Sequence, residues 1–144
     1  MTAPSEDGEG TSRCMAAAMK DAGLNPDQIG YLNAHGTSTP LGDIGELHAV
    51  AAALDGVTDQ LVVTSTKSMT GHMLGGSGAV EAILTIKALT ERTAPRTINL
   101  DNQDPAIDLD VVTEPRELRS GDAAALSNSF GFGGHNAVVA FRSV

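Results

Sequence analysis

A chain of 144 residues with 41% hydrophobic content can bury one compact core, and its formal net charge of -9 disfavours nucleic acid or an anionic membrane surface as a partner, since both need clustered Lys and Arg. No run approaches the roughly 20 apolar residues that span a bilayer, and the opening MTAPSEDGEG is acidic where a signal peptide is basic and then apolar. The single Cys14 rules out a disulfide framework or a cysteine-based metal site, and the expected compartment is the reducing cytoplasm.

Met15, Ala18, Met19 and Ala22 follow the spacing of an amphipathic helix over Thr11 to Ala22, capped by Thr11 or Ser12 and stopped by Gly23. Cys14 falls inside that helix and reads as a buried, inert thiol. After the Asn25-Pro26 turn, Ile29 to Ala34 is a short apolar run that opens into His-Gly-Thr-Ser-Thr-Pro, the pattern of a buried strand leading into a polar loop. Pro40 suits the first turn of a second helix, with Ile44, Leu47, Val50 and Leu54 as its apolar stripe. Leu61-Val62-Val63 is the second strand. A polar, glycine-rich stretch from Thr64 to Gly78 precedes Ala79 to Ile86, whose near-continuous apolarity predicts a helix buried on most sides; Glu81 there needs a partner. Three β-like runs close the chain: Leu109 to Thr113, Ala123 to Ser127 and Asn136 to Phe141. Alternating elements followed by strands predict a layered α/β sheet with its chemistry at the C-terminal strand ends.

Two loops carry histidine. His35 follows the first strand, with three hydroxyls and a glycine after it. Lys67 and His72 lie five residues apart ahead of the apolar helix. A lone histidine at such a strand end is more often a hydrogen-bonded structural residue, but two such loops point to a site. His48 and His135 show no ligand spacing, so no metal is expected.

The segments NAHGTST, STKSMTGH and NSFGFGGHN, in this order, resemble the three C-terminal motifs of the β-ketoacyl-acyl-carrier-protein synthases. The resemblance implies a thiolase-like layered fold (αβαβα), with this chain as most of the C-terminal half and a single domain over residues 1–144. The opening Met-Thr-Ala-Pro is similar to an internal stretch of the bacterial elongating synthases, so Met1 is not expected to be a natural start and the half bearing the nucleophilic cysteine is expected upstream. The family reaction is a decarboxylative Claisen condensation of an acyl thioester with malonyl-carrier protein in fatty acid synthesis. The implied roles are these. His35 and His72 act as neutral donors to the enolate oxygen, and Lys67 is a buried lysine paired with Glu81. Thr37 and Thr39 bind the phosphopantetheine arm, and Phe132, flanked by Gly131 and Gly133, forms a gate and oxyanion-hole loop. No resident cofactor is implied, because the phosphopantetheine arrives on the carrier protein. The implied partners are that carrier protein, the other half of the enzyme and a second copy in a homodimer. His135 stands where many relatives have threonine. Thr37 and Thr39 serve equally as turn stabilisers and Phe132 as a core plug, whereas the apolar helix around Glu81 disfavours a surface pair of Lys67 and Glu81.

Two rivals belong to other classes. Gly75-Gly76-Ser77-Gly78-Ala79 is one residue short of a nucleophile elbow, with Asp108 and His135 following in hydrolase order, but no hydrophobic strand precedes it. The other rival is a non-catalytic partner, or a ketosynthase, of a polyketide pathway. A Cys at the upstream nucleophile position marks an enzyme; a Gln there marks the partner.

Overall fold

A computed structural model describes residues 8–121 and 123–143. Its core is a four-stranded sheet in the order β2-β1-β5-β6, built from β1 (Ile29–Asn33), β2 (Val62–Thr64), β5 (Ala124–Phe130) and β6 (Asn136–Arg142). β1 runs parallel to both β2 and β5, whereas β6 returns antiparallel to β5. The C-terminal ends of β1, β2 and β5 therefore lie side by side, the edge at which such sheets place ligands.

Both faces of the sheet are covered, which explains why every residue of β1 is buried. Leu32 points to one face, into a core formed with Met15 and Met19 of α1 (Glu9–Asp21) and Leu47, Val50 and Ala53 of α2 (Pro40–Ala53). Tyr31 points to the other, against Ala88 and Leu89 of α4 (Ser77–Glu91). The result is a mixed α/β arrangement of three layers. Thr39, extended at φ -112 and ψ 132, feeds Pro40 into the first turn of α2, as the fixed ring of proline favours.

Four expectations need correction. α1 begins at Glu9 behind Gly8 in a left-handed conformation, not behind Thr11 or Ser12, and it ends at Asp21, so Ala22 is exposed and off the apolar stripe. Cys14 is only half-buried, because it sits on the flank of that helix, not on its core face; burial still raises its thiol pKa, against a weaker pull from a hydrogen bond with the Val138 backbone. Leu109 to Thr113 is not a strand: only Val111 makes a β-bridge, to Val63, the middle residue of the three-residue β2. In its place a short pair forms between β3 (Thr93–Ala94) and β4 (Arg116–Glu117).

The largest departure concerns α4. Its buried residues are Ser77, Glu81, Thr85, Ala88 and Leu89, whereas Ile83 is 60% and Ile86 44% exposed. The apolarity that suggests all-round burial is thus concentrated on the face turned away from this sheet. With Leu74 and Phe132 also exposed, the 144-residue chain alone is expected to self-associate. Light scattering during a thermal melt is expected to show oligomers or aggregates; a cooperative monomeric melt would refute this.

Candidate active site

The turn after β1 is fixed by a close approach. Gly36 adopts φ 36, and a Cβ there would stand 2.7 Å from Ser65 Cβ; the Ser65 hydroxyl donates to the Gly36 carbonyl at 2.9 Å. Only glycine lets the turn after β1 touch the turn after β2. Gly36→Ala is expected to destabilise a full-length protein by about 1–3 kcal/mol through overpacking, read as a lower urea midpoint with an unchanged denaturant slope.

That contact brings the histidines together. The His35 and His72 rings lie 5.6 Å apart, centroid to centroid, edge to face at 88°. Phe130 packs on the other side of His35 at 5.9 Å. Burial first, then the Lys67 charge and then His72, pull the His35 pKa from 6.5 down to about 4, so the ring is neutral at physiological pH. An unfolded chain takes up this proton near 6.5 and the native state only near 4, so stability is full above that window and falls as pH drops through it. His35→Gln is therefore expected to flatten the dependence of unfolding free energy on pH between about 6.5 and about 4, measured by denaturant titrations across that range.

His72 follows α3 (Lys67–Thr70) and Gly71, whose φ of 71 ends that short helix. Its Nδ1 accepts the Leu74 backbone N–H at 3.1 Å. An Nδ1 that accepts leaves the proton of the neutral ring on Nε2. This is the tautomer a donor to substrate needs.

Beneath the rings lies a buried polar layer. Lys67 Nζ sits 2.6 Å from Glu81 Oε1, with side chains 4% and 1% exposed. The contact is an ion pair outside hydrogen-bond angles, and neither group makes a hydrogen bond among the described residues. Beside it, the Asn33 amide donates to Thr66 Oγ1 at 3.0 Å and accepts the Thr66 N–H at 3.2 Å. Asn33 also reaches the Glu81 carbonyl and Thr85 Oγ1, both at 3.4 Å, joining the end of β1 to α4.

Glu46 was not singled out in the sequence. One Oε1 accepts the His35 N–H at 2.8 Å and the Asn128 amide at 3.0 Å, while Oε2 accepts the Gly36 N–H at 2.9 Å. Burial raises its pKa, and the donors from Gly36, Asn128 and His35 pull it back. The available signal was a carboxylate on the core side of α2, one position before Leu47 in the apolar stripe.

Of the other expected residues, Thr37 lines a cavity of about 400 Å³ together with Ser65, Lys67, Ser68, His72 and Thr97. Thr39 is exposed ahead of α2. Gly131 N–H donates to the His135 carbonyl at 2.8 Å, and Gly133 has φ 73, so the loop after β5 is a tight turn. The Phe132 ring on that turn is 78% exposed, and it is Phe130 that touches His35. Ser77 is buried with its hydroxyl engaged by Met73 and His72, which removes the hydrolase-elbow reading.

The geometry thus presents two imidazoles edge to face, a neutral His35 and a His72 that lines the cavity with its Nδ1 occupied as an acceptor, above a compensated lysine. Neutral ring N–H donors stabilise negative charge that develops on an oxygen placed between them. Residues 1–101 match the family described as Beta-ketoacyl synthase, C-terminal domain. The chain is 52% identical over 142 residues to 3-oxoacyl-[acyl-carrier-protein] synthase 2 of Synechocystis, covering 99% of this chain and 34% of that protein. The protein of the same name from Vibrio cholerae is 50% identical over 143 residues, with 99% and 34% covered. Among solved structures, a type II polyketide acyl-carrier protein in complex with its ketosynthase superposes with a TM-score of 0.92 at 33% identity, over 100% of this chain and 35% of that one. A β-ketoacyl synthase from Burkholderia phymatum gives 0.84 at 40% identity, over 95% and 33%. The chain spans about a third of the length of the curated relatives it matches, and with these motifs on a common edge it belongs to the β-ketoacyl synthase family, of which it carries the C-terminal domain.

Proposed function

We propose that this chain supplies the decarboxylation half of a 3-oxoacyl-acyl-carrier-protein synthase, which condenses an acyl thioester with malonyl-carrier protein in fatty acid synthesis. The observation that carries the reading is the His35–His72 pair at 5.6 Å, with His72 held as its Nε2 donor. When malonyl thioester loses CO₂, the electrons left behind move onto the thioester oxygen; two neutral donors aimed there lower the barrier without a proton changing hands. The resulting carbanion attacks the acyl thioester on a cysteine supplied by the rest of the enzyme, so the chain alone is expected to be inactive. Cys14 is unsuited to that role: it is half-buried on α1 and its thiol pKa is raised.

Thr37, on the cavity wall, is the better placed of the two threonines to hold a phosphopantetheine arm, and the Gly131 to Gly133 turn carries the Phe132 gate. The partners in this reading are an acyl carrier protein, the remainder of the synthase and a second copy, in the cytoplasm, with no resident cofactor. Identity near 50% to 3-oxoacyl-[acyl-carrier-protein] synthase 2 proteins, against 33% to a polyketide ketosynthase, favours the fatty acid pathway. In a full-length synthase, His35→Ala and His72→Ala are each expected to leave cysteine acylation intact while slowing CO₂ release from malonyl thioester by about 10²–10³. Stopped assays of the two half-reactions decide it, and normal CO₂ release in either variant would sink the proposal.

A further inference from the structure

Ser77 opens α4 at 3% exposure, on the polar face that looks into the site. Its Oγ accepts the Met73 backbone N–H at 2.8 Å and lies 3.3 Å from His72 Nδ1. The same Nδ1 already accepts the Leu74 N–H. A ring nitrogen that accepts from an amide carries no proton, so the hydroxyl is the donor in the second contact, with its own lone pair turned to Met73. We propose that Ser77 is a positioning residue for His72, holding the ring in the Nε2–H tautomer and opposing its protonation. Protonation of the neutral ring occurs at Nδ1 and would set that nitrogen's new N–H against two donors. The second tether matters because the first hangs on strained backbone: Leu74 is a non-glycine residue at φ 51 and is exposed, so its N–H alone is a weak clamp. The inference rests on the reading of His72 as a donor to the developing enolate.

The test uses full-length synthase carrying Ser77→Ala, with His72→Ala as reference, and follows both half-reactions from about pH 5 to 9, around the ordinary histidine range. Ser77→Ala is expected to slow CO₂ release about tenfold near neutrality, the effect of one lost hydrogen bond. It is also expected to move the acid limb of that profile to higher pH and to leave acylation in place, with a small fall in the thermal midpoint from the Met73 N–H that loses its acceptor. Nitrogen-15 spectra of the labelled histidines should show His72 titrating at higher pH in the variant. An unmoved limb with an unmoved ring titration overturns the inference, as does a parallel fall of both half-reactions with the thermal midpoint, which is what a purely structural serine gives. If His72→Ala itself releases CO₂ normally, the functional reading fails independently of Ser77.

Discussion

In a full-length synthase, Lys67→Ala is expected to lower the unfolding free energy by about 3–5 kcal/mol, because it strands the Glu81 carboxylate in a site where its side chain is 1% exposed. The reciprocal Glu81→Ala strands the ammonium and belongs in the same range. The double replacement Lys67→Met with Glu81→Leu removes both charges together, and buried pairs exchanged for apolar groups of similar volume are commonly neutral or better. It should therefore recover most of the lost stability, so that the two single effects are strongly non-additive in a double-mutant cycle. Activity should not recover. The Lys67 charge is the second cause, after burial, that keeps His35 unprotonated, and without it the ring titrates closer to its ordinary value. A stable but impaired double variant, with the acid limb of CO₂ release moved to higher pH, is the expected outcome of urea titrations and half-reaction assays. Single variants that lose less than about 1 kcal/mol would show that water reaches the pair.

The two histidine motifs were legible because each packs an imidazole next to a turn former. His35 precedes Gly36, His72 follows Gly71, and both glycines adopt positive φ. The Lys67–Glu81 pair was legible for a different reason: a carboxylate in the apolar run of α4 demands a counter-charge, and Lys67 supplies it. What could not be read was which side of α4 faces the sheet. A hydrophobic count does not distinguish a stripe turned to this sheet from one turned away, and here the polar residues Ser77, Glu81 and Thr85 are buried along with Ala88 and Leu89. The false strand at Leu109 to Thr113 has a similar origin. Alternating apolar residues mark a pleated surface only where a partner strand is long enough, and β2 offers three residues. The partner that fixes the His72 ring was equally hidden, since it is a backbone N–H presented by Leu74 in an unusual conformation.

Glu46 exemplifies the rest, and its replacement is the second change expected to be severe. The Glu46 carboxylate ties three separate segments: α2, which carries it, the turn after β1 through the His35 and Gly36 amides, and β5 through Asn128. Glu46→Ala leaves those donors without their acceptor, and each buried donor so orphaned costs about 1–3 kcal/mol, less where water enters the space vacated. A loss of about 2–5 kcal/mol is expected on this ground alone. Glu46→Gln separates geometry from charge. A glutamine oxygen can still serve one of the two adjacent amides, but its NH₂ must then face the other, a donor against a donor. The glutamine variant should thus fold with intermediate stability and a displaced His35 turn. Because the fault lies in the position of His35 and not in the nucleophile, CO₂ release should fall while cysteine acylation persists. Equal losses in the two half-reactions, or a glutamine variant indistinguishable from the parent in both stability and CO₂ release, would remove Glu46 from the positioning of the site.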